Sequence, residues 1–457
     1  MNKVFFAGKK VLVMGLGRFA GGVDAAKFAY KAGAKVKVTD LALPQRLSES
    51  LEKLKDLKKI EYQLGSHETE DFSQTDIVIV NPAVEPENKF LEVARENNKF
   101  ITSAISIFFQ LCPAVIVGIT GSNGKSTTAA LAAHLLSSGE GKDNFRHRKV
   151  WLSGNIGNEP LLGNLEKIET EDVLVLELSS FQLEQLEQAK EAPGVSLLTN
   201  LAPNHLDRHK TFEKYCAAKD NIFKLQKLDE NKPAISIFNK EDEISLQWFE
   251  KYSGQAGRIC LGFSAGDVRG EFVKEFTLPG RANLSNLAGA ITIAEYFGIT
   301  EEQILNCLES FETLPHRLEL ISHSSGISWY NDSIATTPES SIAALEAFDA
   351  PIVLIAGGYD KGLSFEKLAV KISEKTRAVI LIGQTAKKIA EAIERHPSIE
   401  LIIEFADSLA DAVRTAKNLA ASGDMVLLSP ACASYDMFDN FQQRGQEFVK
   451  LVRQIND

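Results

Sequence analysis

An apolar run that leads into a glycine-rich turn and then a helix-forming stretch constrains this fold more than any other segment. Residues 114–117 are apolar, Gly118 and residues 121–124 supply the turn, and Lys125 opens a stretch that favours a helix through residue 136. A strand, a turn and a helix in that order point backbone N–H groups and the positive end of the helix dipole at one place. We therefore predict a polyphosphate site in an α/β sheet, formed by Gly121, Ser122, Asn123, Gly124, Lys125, Ser126 and Thr127.

The spacing of this turn departs from the usual nucleotide-binding loop. Counting back from Gly124, the first glycine of that loop would fall at Ile119, and the nearest glycine is Gly118. A glycine-rich turn with an incidental surface lysine is the alternative, but the strand before it and the helix after it favour a phosphate site. Lys125 can then add a full positive charge at the β- and γ-phosphates, and the Ser126 hydroxyl can hold Mg²⁺.

Length and composition bound the number of domains and the class of protein. A chain of 457 residues is too long for one core and indicates about three domains. With 44% apolar and 24% charged residues it has a globular composition, and no apolar run is long enough for a membrane span. We therefore expect no membrane insertion, and the N-terminal apolar segment is too short for a secretory signal.

The cysteines indicate where the protein is located in the cell, and the net charge indicates which partners it can bind. Five scattered cysteines without a C-x-x-C pair indicate reduced thiols in a cytoplasmic protein and argue against a zinc site. The net charge of −11 disfavours a nucleic-acid partner. Positive charge for any anionic substrate must therefore be concentrated in the site itself.

The first block has the pattern of a dinucleotide-binding βαβ unit. A strand leads into Gly15-Leu-Gly17, and a second strand ends at Asp40, about twenty positions after the turn. The third glycine of the usual fingerprint is displaced to Gly21, so nicotinamide binding stays open while another nucleotide is favoured. Asn81 ends a further buried strand, which is where such sheets hold ligands.

The second block places polar side chains at strand ends beside the phosphate loop. A strand of alternately buried apolar residues ends in Glu177, a suitable Mg²⁺ ligand, with a capping or ion-paired role as the alternative. A later strand, residues 194–200, runs into His205, Asp207, Arg208 and His209. We expect these four side chains to form a polar cluster at the ligand-binding end of the sheet.

The rest of the chain predicts two helices in the second block and a third α/β block. Lys219 follows a predicted helix start near Thr211, where the residue type alone predicts a solvated surface lysine. Asn283 and Asn286 open another helix and, being three positions apart, share one face. From about residue 314 strands and helices alternate again, which predicts another mostly parallel sheet.

Six motifs, in order and over essentially the whole chain, resemble the Mur ligases. The motifs that begin at Glu177 and Ser429 resemble the members that add D-glutamate. The family has a phosphate loop without the usual first glycine, which accounts for Ile119. The six are Gly121-Ser-Asn-Gly-Lys125-Ser, Glu177-Leu-Ser-Ser-Phe-Gln182, Asn204-His205-Leu-Asp-Arg208, Leu314-Pro-His-Arg317, Asn331-Asp332-Ser333 and Ser429-Pro-Ala-Cys-Ala-Ser434.

The resemblance implies an ATP-dependent amide ligase of peptidoglycan precursor synthesis, acting in the cytoplasm. It would join D-glutamate to UDP-N-acetylmuramoyl-L-alanine through an acyl phosphate, with ATP and Mg²⁺ as cofactors and as a monomer. The implied fold is α/β with three domains. These are a Rossmann-like domain at residues 1–103 that holds UDP rather than NAD, a central P-loop ATPase-like domain with a mostly parallel sheet at 104–313, and a Rossmann-like C-terminal domain at 314–457.

The resemblance also implies roles for individual residues. The metal ligands would be Ser126, Glu177, His205 and Lys219, the last after carbamylation by CO₂ into a carboxylate-like group. Arg18, Asp40 and Asn81 are candidates near the nucleotide-sugar, and Asn155 would contact the muramoyl substrate near its reacting end. The remaining ATP contacts would be Asn283, Asn286, Arg317 and Asp332, and the glutamate contacts would be Thr336, Lys361, Ser434 and Phe441.

Two positions depart from the family pattern. Ile334 stands where some members have lysine, which removes one cation near the glutamate, and Asn204 replaces an aspartate before His205. Either Lys361 would then carry more of the charge recognition, or the pocket differs from that of the family. A related ligase with a different acceptor, such as a folate polyglutamate or muramoyl-tripeptide synthetase, or with L-glutamate, therefore stays open. So do a nicotinamide-binding oxidoreductase and a catalytically silent nucleotide-binding regulator.

Overall fold

The structure, a computed structural model, describes residues 3–17, 20–156, 161–396 and 401–456. The chain divides into two compact units. Unit 1 comprises Met1–Arg269 and Ser285–Cys307, and unit 2 comprises Gly270–Leu284 and Leu308–Asp457. Within the described residues, no helix is long and apolar enough to cross a membrane.

The first sheet of unit 1 is parallel, and its strand order is β3-β2-β1-β4-β5 in the described residues. The order reverses at β1, and ligands bind such sheets at the carboxyl ends of the strands beside that reversal. The strands are β1 Lys10–Met14, β2 Lys35–Asp40, β3 Glu61–Leu64, β4 Ile77–Val80 and β5 Phe100–Thr102. The helices are α1 Ala20–Lys31, α2 Ser48–Glu52, α3 Thr69–Gln74, α4 Lys89–Glu96 and α5 Ala104–Leu111.

The turn after β1 depends on a different third glycine from the one the sequence pattern indicated. Gly15 and Gly17 have φ angles of 89° and 64°, which favour glycine. A methyl group on Gly22 would lie 2.6 Å from the Cα of Leu16 and would overlap its carbonyl oxygen, whereas one on Gly21 would meet no described atom within 4 Å. Gly22, not Gly21, is therefore the position where α1 packs closely on the turn.

We expect Gly22→Ala to lower the free energy of unfolding by about 2 kcal/mol, because the methyl group must displace backbone that has nowhere to move. Gly21→Ala is the matched control, since it adds the same methyl group to open space and should be neutral or slightly stabilising. Urea unfolding of both variants checks the difference. Equal stabilities would contradict the packing described here.

The second sheet of unit 1 is also parallel, with the order β11-β10-β9-β6-β8-β7 in the described residues. Its strands are β6 Val115–Thr120, β7 Val150–Gly154, β8 Val173–Glu177, β9 Val195–Leu198, β10 Ala234–Asn239 and β11 Arg258–Phe263. The expected alternation in β8 is wrong, because all five of its residues are buried. A strand covered by helices on both faces has no solvent side.

Helices flank this second sheet, and residues of both sheets of unit 1 join one continuous apolar cluster that includes Phe6, Leu176 and Phe223. One of the helices, α12, crosses the division between the units at residues 284 and 285. The helices are α6 Lys125–Ser137, α7 Ser180–Ala189, α8 Leu206–His209, α9 Phe212–Lys224, α10 Glu243–Tyr252, α12 Arg281–Tyr296 and α13 Glu301–Leu308. Helix α11, Gly270–Glu275, belongs to unit 2.

Unit 2 contains a sheet with the order β12-β13-β17-β14-β15-β16 over its described residues. Its pairs are parallel except for β12 with β13, so the predicted mostly parallel sheet is confirmed. Its strands are β12 Glu319–Ser324, β13 Ile327–Asn331, β14 Ile352–Gly357, β15 Thr376–Ile382, β16 Ile402–Phe405 and β17 Met425–Leu428. Its other helices are α14 Pro338–Glu346, α15 Glu366–Lys375, α16 Ala386–Glu394, α17 Leu409–Leu419 and α18 Phe441–Asn456.

Candidate active site

The predicted phosphate loop joins β6 to the N-terminus of α6. Gly124 precedes the helix in a left-handed conformation, with φ of 81°. A side chain at Gly124 would collide with the amide of Asn286, whose Oδ1 also accepts a hydrogen bond from Thr128 at 3.2 Å. The Lys125 ammonium donates to the carbonyl of Ser122 at 2.8 Å. Asn286 is thus packed on the loop, and Lys125 lies against it.

Residues at the end of β9 hold this loop from the other side. The Asn123 amide donates to Asn200 Oδ1 at 3.0 Å, and the Thr199 hydroxyl donates to the Asn123 carbonyl at 2.6 Å. Gly121 must be glycine because a side chain there would overlap the Thr199 hydroxyl. Sequence reasoning missed Thr199 and Asn200 as loop anchors, although their position immediately after a strand was the available signal.

Glu177 ends β8 and is 1% exposed. Its Oε1 accepts a hydrogen bond from the Asn155 amide at 3.1 Å, while its Oε2 is buried with no hydrogen-bond partner among the described residues. A buried carboxylate oxygen without a donor is costly unless a cation or another donor occupies its free side. A carboxylate oxygen is a ligand that Mg²⁺ prefers, so the buried free oxygen of Glu177 fits that ion.

No group of three or more His, Cys, Asp or Glu side chains is arranged to hold a metal in the described part of the chain. An ion beside Glu177 would therefore need other oxygen ligands, such as the Ser126 hydroxyl and a substrate phosphate.

Lys219 is buried, so the expectation of a solvated surface lysine is wrong. It is 1% exposed and lies on the buried face of α9 with Tyr215 and Ile222. Its ammonium donates to the Thr120 hydroxyl at 3.1 Å and lies 4.9 Å from the centre of the Tyr215 ring. Burial, with the nearby charge of Lys125, lowers the pKa of Lys219 far below its ordinary value.

The predicted cluster of two histidines divides into an exposed and a buried residue. His205 is exposed, adopts a φ of 52° and has its ring 5.1 Å from that of Phe181. His209 is 3% exposed, stacks on Phe181 and shares a hydrogen bond with the Ser180 hydroxyl at 2.9 Å. His209 is therefore buried within the cluster, while His205 is exposed. Arg208 lies 3.4 Å from the carboxylate of Glu184.

Two of the predicted nucleotide-sugar residues, Asp40 and Asn81, form hydrogen bonds with the glycine turn after β1. Asp40 accepts hydrogen bonds from the amides of Gly17 at 3.0 Å and Ala42 at 2.8 Å. Asn81 donates to the Gly15 carbonyl at 3.2 Å. Both side chains thus lie at the carboxyl ends of β2 and β4, beside the turn. Arg18, the third candidate, lies outside the described residues.

A cavity of about 180 Å³ lies within unit 1 between the first sheet and α7. Its lining includes Val80, Pro82 and Thr102, at or just beyond the carboxyl ends of β4 and β5, together with Phe181 of α7 and Arg208 of α8. Because Phe181 also contacts His205, the cavity adjoins the polar cluster.

Unit 2 holds the other predicted nucleotide residues. Asp332 is 5% exposed and accepts hydrogen bonds from the Ser429 hydroxyl at 2.8 Å and the Leu318 amide at 3.3 Å. Burial raises the pKa of Asp332 to about 7, and the positive charge of Arg317 opposes that rise. Asn283 donates to the Pro279 carbonyl at 2.7 Å.

Two of the four predicted glutamate residues share a recess in unit 2. Thr336 and Lys361 line it together with Tyr359 and Cys432. Ser434 is 2% exposed, and its hydroxyl has no partner among the described residues. Phe441 begins α18, and its carbonyl accepts a hydrogen bond from the Ser333 hydroxyl at 2.8 Å.

Comparison with known proteins finds three family domains along the chain. The family descriptions "Mur ligase MurD-like, N-terminal domain", "Mur ligase middle domain" and "Mur ligase, glutamate ligase domain" match residues 9–103, 119–269 and 316–432.

Proteins named UDP-N-acetylmuramoylalanine--D-glutamate ligase are similar over nearly their whole length. The one from Clostridium botulinum strain Langeland is 35% identical, over 99% of this chain and 98% of the relative. The one from Roseiflexus sp. strain RS-1 is 39% identical, over 98% of each chain.

The chain belongs to the Mur ligase family. Solved structures agree on the fold: UDP-N-acetylmuramate-alanine ligase from Thermotoga maritima has a TM-score of 0.59 at 17% identity, covering 98% of this chain and all of that one. MurF ligase from the same organism, in complex with ADP, has a TM-score of 0.56 at 18% identity, covering 100% and 97%. The expected family and its three-domain α/β fold are confirmed, and as a Mur ligase the chain is an ATP-dependent ligase.

Proposed function

We propose that this Mur ligase joins D-glutamate to UDP-N-acetylmuramoyl-L-alanine, converting ATP to ADP and phosphate. The observation that carries the proposal is the convergence in unit 1 of the phosphate loop, the buried carboxylate of Glu177 and the buried amine of Lys219. A simple nucleotide-binding regulator would have no need for a lysine buried beneath that loop. The choice of glutamate and acceptor is supported by the names of relatives that align over 98–99% of the chain.

The chemistry begins with attack by the acceptor carboxylate on the γ-phosphorus of ATP. A new O–P bond forms, the bond to the β-phosphate oxygen breaks, and the products are an acyl phosphate and ADP. The amine of glutamate then attacks the activated carbonyl, and the tetrahedral intermediate expels phosphate and loses a proton. Because the first step brings two anions together, Lys125 and the loop amides would stabilise charge on the transferring group.

Ser126 and Glu177 would hold one Mg²⁺ and His205 a second, in line with the free carboxylate oxygen and the exposed imidazole. A bound Mg²⁺ neutralises charge on the phosphates and on the attacking carboxylate. Asn155 would orient Glu177 through its hydrogen bond and contact the muramoyl end of the acceptor. The cavity lined by Phe181 and Arg208 is a route for part of the acceptor toward this point.

Lys219 would act as a carbamate. Its neutral amine would add to CO₂ and release a proton, which turns an uncharged group beside Lys125 into an anionic oxygen ligand. Its burial and its low pKa support this role, because the neutral amine is the form that adds to CO₂.

The remaining assignments are proposals of the same kind. Arg18, Asp40 and Asn81 would lie near the nucleotide-sugar, and Asn283, Asn286, Arg317 and Asp332 near ATP. Thr336, Lys361, Ser434 and Phe441 would surround the glutamate, where Ile334 leaves Lys361 as the main cation. Domain boundaries at 1–103, 104–313 and 314–457, a monomeric state and a cytoplasmic location stay predictions.

A substrate-omission assay tests the proposed function. Phosphate and ADP release should require UDP-N-acetylmuramoyl-L-alanine and D-glutamate together, and L-glutamate should not replace D-glutamate. Release that needs neither substrate, or that needs a different acceptor or amino acid, would reject the proposal. Circular dichroism of the same sample shows that the protein is folded.

The raised pKa of Asp332 leads us to expect that kcat/KM for ATP depends on pH. If its carboxylate accepts hydrogen bonds from ATP, only the ionised form serves, and that form predominates above its pKa of about 7. We therefore expect kcat/KM for ATP to fall as pH decreases through 7, approaching tenfold per unit below it. Thermal unfolding across the same range controls for loss of fold. A flat profile between about pH 6 and pH 8 would contradict the assignment.

A further inference from the structure

Arg444 is a buried cation in unit 2 that the family motifs did not single out. It is the fourth residue of α18, is 1% exposed and uses all three of its nitrogens in hydrogen bonds. Nε donates to the Ser333 hydroxyl at 3.0 Å, Nη2 to the Ser333 carbonyl at 2.8 Å, and Nη1 to the Cys432 carbonyl at 3.1 Å. One guanidinium thus joins two loops that are far apart in sequence.

Each loop carries a residue proposed to contact a substrate. Ser333 follows Asp332 directly, and Cys432 comes two positions before Ser434. A third loop lies close by, because a methyl group on Gly358 would be 3.4 Å from Arg444 Nη1, and Lys361 follows in that loop. Three loops that carry proposed nucleotide or amino-acid residues therefore lie next to a single side chain.

The neighbouring contacts extend this arrangement into α18. The Ser333 hydroxyl, which accepts from Arg444, donates in turn to the carbonyl of Phe441, a proposed glutamate residue. Gly445 packs against His316, and its carbonyl lies 3.4 Å from the amide of Asn331. The first turns of α18 thus hold the segments on both sides of Asp332.

We propose that Arg444 is a positioning residue that fixes the nucleotide and amino-acid loops of unit 2 and supplies the buried positive charge next to Asp332. The inference rests on the proposed function, because it assigns these loops to ATP and D-glutamate. A planar guanidinium holds its donors on three nitrogens in fixed directions, whereas a lysine presents its donors from one nitrogen on a flexible stem, so arginine suits a bond to both loops better. Filling space would not require a charge, and an uncompensated buried charge is strongly unfavourable.

The surrounding charges are consistent with this role. Burial lowers the pKa of Arg444 to about 10, and Cys432, Asp436 and Asp332 raise it, so the side chain stays charged at neutral pH. The effect is mutual: burial raises the pKa of Asp332, and the positive charges of Arg317 and Arg444 both lower it. Loss of Arg444 would therefore leave Asp332 protonated at a higher pH.

Arg444→Met and Arg444→Lys separate geometry from charge. For Arg444→Met we expect the KM for D-glutamate to rise on the order of tenfold, because charge-assisted hydrogen bonds to both loops are lost. The fall of kcat/KM for ATP at low pH, which we call the acid limb, should also move to higher pH. Arg444→Lys should raise the KM for D-glutamate as well but leave the acid limb in place. The KM for UDP-N-acetylmuramoyl-L-alanine should change less than about twofold in both, because its proposed contacts lie in unit 1.

Ser333→Ala removes one acceptor and keeps the charge, so a rise of about threefold in the KM for D-glutamate with an unmoved acid limb is expected. If Arg444→Met fails to fold, the KM of Ser333→Ala for D-glutamate tests the positioning role of Arg444 in its place. An unchanged KM for D-glutamate in every folded variant, equal changes for all three substrates, or an acid limb that does not move in Arg444→Met would overturn the inference. Failure of the wild-type enzyme with D-glutamate would instead reject the proposed function.

Discussion

Replacement of Lys125 by alanine is expected to lower kcat by about 10²–10³-fold. Its ammonium lies against the phosphate loop and would supply the one full positive charge that the loop adds to the transferring phosphate. Charge that develops only in the transition state affects kcat, whereas the loop amides and the helix N-terminus still bind the phosphates of ATP. Single-turnover formation of ADP in the presence of both substrates measures this step.

Lys142→Ala is the matched control, because Lys142 is an exposed lysine in the loop that follows α6. That variant should keep wild-type turnover, and both variants should unfold at similar temperatures. A Lys125→Ala enzyme with a kcat within about threefold of wild type would remove Lys125 from the phosphoryl transfer.

Replacement of Lys219 by alanine is expected to lower kcat by about 10²-fold, with partial recovery on addition of formate or acetate. The variant opens a buried space next to Thr120, and a small carboxylate bound there restores the oxygen ligands that the carbamate would supply. Turnover measured against carboxylate concentration should therefore rise and saturate.

Two variants control this rescue. Lys219→Met fills the space, so it should be as slow as Lys219→Ala but insensitive to carboxylates. Lys224→Ala, on the same helix with its side chain 58% exposed, should behave as wild type. Full activity of Lys219→Ala without added carboxylate would exclude the carbamate from the mechanism.

The phosphate loop was predictable from sequence because its determinants are local. A buried strand, glycines with positive φ and a helix beginning at Lys125 follow one another within a few residues, and the structure has them in that order. The strand ends that hold Glu177 and Asn81 were predictable for the same reason.

Burial of Lys219 could not be predicted from residue type, because lysine is rarely buried. The signal was periodicity: Tyr215, Ala218 and Ile222 lie four, one and three positions away, and this spacing places all of them on one helix face. Applying the helical period to α9 would have predicted the correct side of the helix.

Several strands were missed because their sequences lack an apolar run. The strands β3 and β16 lie at the edges of their sheets and are largely exposed, so residues such as Glu61 and Glu404 interrupt the pattern. Edge strands commonly carry charge, which discourages pairing with other chains. The role of Arg444 was also hidden, because its hydrogen bonds to Ser333 join residues 111 positions apart.

The most direct test of the account follows oxygen from the acceptor to phosphate. UDP-N-acetylmuramoyl-L-alanine labelled with ¹⁸O in its carboxylate is incubated with enzyme, ATP and D-glutamate, and the released phosphate is examined by ³¹P NMR. Attack of the carboxylate on the γ-phosphorus predicts one ¹⁸O atom in each phosphate, because the C–O bond breaks when the amine displaces it. Phosphate without label, released as the amide product forms, would contradict the acyl-phosphate mechanism.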